Sequence, residues 1–138
     1  LIVCLDTSVL IAAFTREKGS PRALALLAEA CAWRVSDWAA AEFAGAIRVK
    51  ARRGELDVGQ IEIVEATLNE MIAAAGAAIH VHADDHPEAR RLIIENGLLR
   101  APDALHLAIA QRIGAQLATF DTNLVRAAEA VGVPVMRP

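Results

Sequence analysis

Asp6, Glu42, Asp103 and Asp121 each stand at the edge of an apolar run. Asp6 closes Leu1-Ile2-Val3-Cys4-Leu5, and Asp121 closes Leu117-Ala118-Thr119-Phe120. Glu42 sits in Trp38-Ala39-Ala40-Ala41-Glu42-Phe43, and Asp103 opens Ala104-Leu105-His106-Leu107-Ala108-Ile109-Ala110. A carboxylate beside buried hydrocarbon is costly unless something pairs with it. Four that converged would repel one another unless a cation sat between them. The acids therefore point to a hard divalent metal held by oxygen ligands, and to metal-assisted phosphoryl chemistry. Each acid also has a plainer reading. Asp6 and Asp121 are preferred helix caps. Asp103 suits the positive end of a helix dipole. Glu42 alone reads as a partly buried surface residue.

The elements that must position these acids can be traced along the chain. Leu1 to Leu5 is apolar without alternation, as in a fully buried parallel strand. Asp6, Thr7 and Ser8 are capping types, so Val9 to Phe14 begins a short helix. Ser20-Pro21 starts the next helix in the cap-then-proline manner, running to about Cys31. Trp33 to Ser36 is a short strand, and Ser36 or Asp37 caps a helix that carries Glu42 and ends near Gly54. Asp57 to Ala75 bears the helical stripe Ile61, Val64, Leu68, Met71, Ile72 and Ala75, stopped by Gly76. Ala78 to Val81 is a strand, and Asp84 or Asp85 precedes a helix to about Asn96-Gly97. Pro102 opens the helix Asp103 to Ile113. Gln116 to Phe120 is a strand, Asp121 caps Asn123 to Val131, and Val133 to Met136 is the last strand. This alternation predicts an α/β layer fold with a mostly parallel sheet. Ligands of such sheets bind outside the carboxyl ends of the strands, where Asp6 and Asp121 would stand.

The chain has 138 residues, one domain by length, over 1–138. It is 55% hydrophobic but only 4% aromatic, with much of the excess in Ala. No apolar stretch reaches the roughly 18 residues needed to span a membrane. No basic leader precedes an apolar core and cleavage site. The chain begins at Leu1 rather than Met, which predicts at least one residue upstream. Cys4 and Cys31 lie in apolar contexts, so they read as buried free thiols of a reducing cytoplasm. Net charge is −3. Any nucleic-acid site must therefore be a local basic patch, helped by the metal.

Asp6-Thr7-Ser8-Val9-Leu10-Ile11-Ala12, Glu42, Asp103-Ala104-Leu105-His106-Leu107-Ala108 and Thr119-Phe120-Asp121-Thr122-Asn123-Leu124 resemble the motifs of PIN-domain nucleases. The length resembles that of VapC toxins of toxin–antitoxin pairs, and all four acidic positions are filled. The resemblance implies a three-layer α/β/α fold with about five strands. It further implies a metal-dependent endoribonuclease using Mg²⁺, or Mn²⁺ as a substitute. Asp6 and Asp103 would be direct metal ligands, and Asp121 would bind directly or through water. Glu42 would orient or deprotonate the attacking water. Thr7, Ser8, Thr119 and Asn123 would give hydroxyl or amide contacts. The implied partners are RNA, a VapB-like antitoxin laid in a groove near Val9–Phe14 and 23–32, and a second copy in a homodimer.

Rival readings are a PIN nuclease of RNA processing without a toxin role, a phosphatase or phosphoacceptor using Asp6, and a noncatalytic module. Haloacid-dehalogenase-like enzymes carry a second Asp where this chain has Ser8, and receiver domains carry a late Lys, absent here after Lys50. His106, three residues past Asp103, reads as a packed core histidine, or else as a hydrogen-bond partner within the site. His80, His82 and His86 lack the fourth ligand and spacing of a zinc site. Arg48, Lys50, Arg52 and Arg53 suggest an RNA rail, with Arg53 about 16 Å along the helix from Glu42. Arg16, Lys18 and Arg22 are a second candidate phosphate contact. Trp33 and Trp38 read as core.

Overall fold

A parallel strand buries both faces, so its sequence need not alternate, but its side chains still must. In β1 (Ile2–Leu5), Val3 and Leu5 enter one apolar cluster and Cys4 the opposite one. The computed structural model describes residues 1–29 and 32–138; Cys31, expected as a buried thiol, lies outside the described residues. The remaining elements are α1 (Thr7–Phe14), α2 (Ser20–Ala28), β2 (Ala32–Ser36), α3 (Asp37–Arg52), α4 (Val58–Ala75), β3 (Ala78–Ile79), α5 (Asp85–Glu95), α6 (Ala101–Arg112), β4 (Gln116–Ala118), α7 (Thr122–Ala130) and β5 (Val135–Met136). The five strands pair in parallel in the order β3-β2-β1-β4-β5.

Helices α1 to α4 cover one face and α5 to α7 the other, giving the expected three layers. From β1 the chain steps outward through β2 to β3, then returns to place β4 on the other side of β1. The β1–β4 pair is therefore the switch point, where connections leave in opposite directions and open a crevice at the carboxyl edge. Asp6 N–H donates to the Ala118 carbonyl at 3.0 Å, locking the two strand ends together there.

Local signals set most boundaries. Ser36 Oγ accepts from Ala39 N at 2.9 Å and caps α3. Asp57 and Gln60 form a reciprocal capping box at the start of α4, and Gly76 ends that helix at φ +57°. Three strands are shorter than the sequence suggests. β3 stops at Ile79 because the Asp37 carboxylate takes the Val81 N–H at 3.0 Å. β4 stops at Ala118 because Phe120 and Asp121 give their N–H groups to Ser8 and Thr119 hydroxyls. β5 begins late because Val133 N–H bonds the Ala128 carbonyl at the end of α7. Among the described residues no helix is long and apolar enough to cross a membrane.

Candidate active site

Three of the four acids sit at helix starts along the β1–β4 edge, and Glu42 projects from the second turn of α3. Asp6 is 6% exposed. Its Oδ1 accepts from Thr7 N at 2.7 Å, and its Oδ2 accepts from Ser8 Oγ and Thr119 Oγ1, each at 2.7 Å. Two donors fill the lone pairs of Oδ2, whereas Oδ1 keeps one free, 3.3 Å from His106 Nε2. Glu42 Oε1 accepts from Thr7 Oγ1 at 2.9 Å and lies 2.5 Å from His106 Nε2. The cap reading of Asp121 holds as well: its Oδ1 accepts from Asn123 N and Leu124 N. Capping uses one oxygen and leaves Oδ2, which lies 3.8 Å from Arg100 Nη2. Arg100 Nε donates to Asp103 Oδ2 at 3.1 Å, so one guanidinium joins two of the acids.

The charges report the same convergence. Burial pushes the Asp103 carboxyl above its ordinary range, and the Asp121 and Asp6 charges add to that against the pull of Arg100. Burial also works against the Glu42 carboxylate, but the His106 hydrogen bond and charge, with Thr7, outweigh it and hold Glu42 low. Burial opposes the His106 imidazolium, yet Glu42, Asp6 and Asp103 together raise its pKa. Its other nitrogen, Nδ1, is buried and has no partner among the described residues, where Nε2 makes the polar contacts. Asp85, the other buried acid, differs: Arg112 binds it twice, at 2.8 and 3.0 Å, and His82 N completes the shell. That pair ties α5 to α6, whereas the edge acids outnumber the cations beside them.

This donor set fits a divalent cation. Asp6, Glu42 and His106 each offer a ligand atom, all within 4.8 Å of one another, and the half-buried Asp103 shares its one guanidinium partner, Arg100, with Asp121. His106 is thus a site residue as well as a buried one, at 1% exposure. Its i+3 spacing from Asp103 hinted at this, but its contact with Glu42 spans 64 positions. Arg100 escaped the sequence reading, although it stands three residues before Asp103, a pairing distance on one helix face.

The other expectations are placed as follows. Ser8, Thr7 and Thr119 contact the acids directly, and Asn123 contributes its backbone N–H. Arg48 is taken by Glu65 at 3.1 Å, and Lys50 by Glu17 and Glu55. Arg53 lies past the end of α3 and is exposed, as is Arg16. His80 and His82 face Asp37 and Asp84 as separate exposed pairs. Cys4 is buried, its thiol pushed up to about 12 by burial and then by Asp6. Trp38 is half-buried, with Nε1 donating to the Pro102 carbonyl. Phe120 is braced from behind by Gly19, where an added Cβ would lie 2.8 Å from the ring. Gly19→Ala should destabilise the protein by about 1–3 kcal/mol, read in a thermal melt, because the added methyl would press on the Phe120 ring.

The PIN domain family matches residues 3–130. Among solved structures, the chain is similar to VapC20 of Mycobacterium tuberculosis, a toxin that cleaves the sarcin–ricin loop: TM-score 0.73, 20% identity, 99% of each chain covered. It is similar to FitAcB of Neisseria gonorrhoeae (TM-score 0.72, 20% identity, 97% of this chain and 96% of that one). It also resembles VapBC2 of Rickettsia felis, bound to promoter DNA (TM-score 0.69, 18% identity, 99% and 98% covered). No curated protein matches the chain. With its four acids gathered at the switch point of a five-stranded parallel sheet and the family pattern running through nearly its whole length, the chain belongs to the PIN domain family.

Proposed function

We propose that this protein is a metal-dependent endoribonuclease, one PIN domain over residues 1–138, acting as the toxin of a VapBC-type pair. The observation that carries the reading is the cluster of four carboxylates at the β1–β4 edge, with too little positive charge among them. Asp6, Asp103 and Asp121 would hold Mg²⁺, with Mn²⁺ as a substitute. When bound, such a cation lowers the pKa of water and neutralises charge building on a phosphoryl group. The chain's own groups do the rest. Thr7 N, Ser8 and Thr119 fix Asp6 with its free lone pair facing the site. Thr7 and His106 orient Glu42, which takes a proton from the attacking water, and His106 Nε2 steadies the charge. Arg100 holds Asp103 and Asp121 at one side of the site.

RNA is the substrate in this reading. Arg16 and Arg53, which form no ion pair among the described residues, are open to backbone phosphates, whereas Arg48 would first have to leave Glu65. The antitoxin helix would lie in a groove of about 800 Å³ whose lining includes Phe14, Leu24, Leu56, Ile63 and Val64. The same reading makes the protein a cytoplasmic homodimer. Its toxin role is tested by expression in a bacterial host. Growth should arrest, the Asp6→Asn variant should grow normally, and co-expression of the adjacent small antitoxin gene should restore growth. Normal growth with soluble wild-type protein that still cuts RNA in vitro would remove the toxin role and leave the nuclease.

A further inference from the structure

The chain is acidic overall, so a polyanion needs a local positive surface beside the carboxylates. One cavity supplies it. A space of about 390 Å³ next to the site is lined by Arg22, Thr119, Phe120, Arg126 and Arg137, and no acid is among its lining residues. Arg137 is held by Glu129 at 2.8 Å, but neither Arg22 nor Arg126 forms an ion pair among the described residues. The Arg22 guanidinium lies over the Phe120 ring, 5.1 Å from its centroid. Gly19 packs close behind that ring, and the Phe120 backbone N–H donates to Ser8 Oγ at 3.1 Å. Ser8 in turn donates to Asp6 Oδ2, so the platform stands two hydrogen bonds from the acidic centre. A second cavity, of about 440 Å³, also has Ser8, Glu17, Lys18, Arg22 and Phe120 in its lining.

We propose that Arg22, Phe120 and Arg126 form a nucleotide subsite flanking the scissile phosphate, with an RNA base stacked on the Arg22–Phe120 platform and a backbone phosphate held by Arg126. The proposal rests on the ribonuclease reading above. A planar cation on an aromatic ring is a face on which an unpaired base stacks with little regard to sequence. Both arginines lie on the wall of one cavity, whose lining includes Thr119, a direct hydrogen-bond donor to Asp6. This locates the basic patch away from the Arg48–Lys50 rail, whose charges α4 and nearby loops already neutralise.

The test is fluorescence anisotropy of a fluorescein-labelled single-stranded RNA against Asp6→Asn protein with Mg²⁺, over a range of salt. Arg22→Ala and Arg126→Ala should each weaken binding about fivefold or more, and each should flatten the log K against log salt slope by about 0.7. Arg22→Lys keeps the charge and loses the plane, so it should keep the slope yet still bind about threefold more weakly. RNA binding by the parent that neither alanine variant changes by more than about twofold, with native melts, overturns the subsite alone. Unchanged RNA binding with lost antitoxin binding also overturns it and assigns the patch to the antitoxin. A parent that binds no RNA, together with wild-type protein that cuts none, overturns the ribonuclease reading and the subsite with it.

Discussion

Asp6→Asn is expected to lower the rate of RNA cleavage by about a thousandfold or more while the protein stays folded. The substitution removes a metal-binding charge but respects the hydrogen bonds around it. The amide oxygen can accept from Thr7 N, and the amide NH₂ can face Ser8 Oγ and Thr119 Oγ1. Both hydroxyls can rotate and accept. Asp6→Ala lacks that compensation. It leaves three donors around a 6%-exposed position without an acceptor, a loss of about 1–3 kcal/mol. Asp103→Asn should behave differently again. The Asp103 pKa is raised in the fold, so its favourable contribution is complete below its ordinary value of 3.8 and is lost as pH rises through the raised value. At neutral pH its charge therefore opposes folding, and the amide should melt no lower than wild type while cleavage is lost. Initial cleavage rates beside thermal melts at pH 7 check all three. An active Asp6→Asn enzyme, or an Asp103→Asn protein that melts well below wild type, would contradict the assignment.

His106→Leu should destabilise the protein by about 1–3 kcal/mol near pH 6, because the Glu42 carboxylate loses its main partner and Asp6 a neighbouring positive charge. The pH dependence separates this loss from simple repacking. His106 has a raised folded pKa, so its contribution is fully present below 6.5 and is lost as pH rises through the raised value. Glu42 has a lowered one, so its contribution is present above 4.5 and is lost as pH falls through the folded value. The difference in melting temperature between wild type and His106→Leu should therefore be largest between 4.5 and 6.5 and shrink on the alkaline side. His106→Gln, which keeps a donor for Glu42, should recover part of the loss. Mn²⁺ should raise the melting temperature of His106→Leu, since binding to the folded form alone stabilises it. A melting difference that is flat with pH would mean that His106 only fills space.

How much could be read ahead depended on how local each signal is. Asp6 and Asp121 were legible because an apolar run ending in Asp places a carboxylate at a sheet edge. Asp103 was legible because proline and Asp open a helix together. Glu42 carries a weaker mark, an acid inside an apolar helical run, which by itself reads as a partly buried surface residue. The contacts that bring the site residues together are long-range. Glu42 meets His106 across 64 positions and Thr7 across 35, and neither follows from periodicity. The shortened strands have a similar cause: side chains of Asp37, Ser8 and Thr119 capture backbone N–H groups that the apolar pattern assigns to the ladder. The ion pairs of Arg48 and Lys50 are non-local in the same way, since their partners Glu65, Glu17 and Glu55 come from elsewhere in the chain.

The most direct test of the central claim is cleavage of labelled total cellular RNA by the purified protein, with Mg²⁺ or Mn²⁺, with EDTA, and beside Asp6→Asn. Discrete fragments that need the metal and vanish with EDTA and in the variant are the expected result. Folded, antitoxin-free protein that cuts no RNA with either metal, or that cuts equally well in EDTA or without the Asp6 carboxylate, would contradict a metal-dependent ribonuclease centred on these acids.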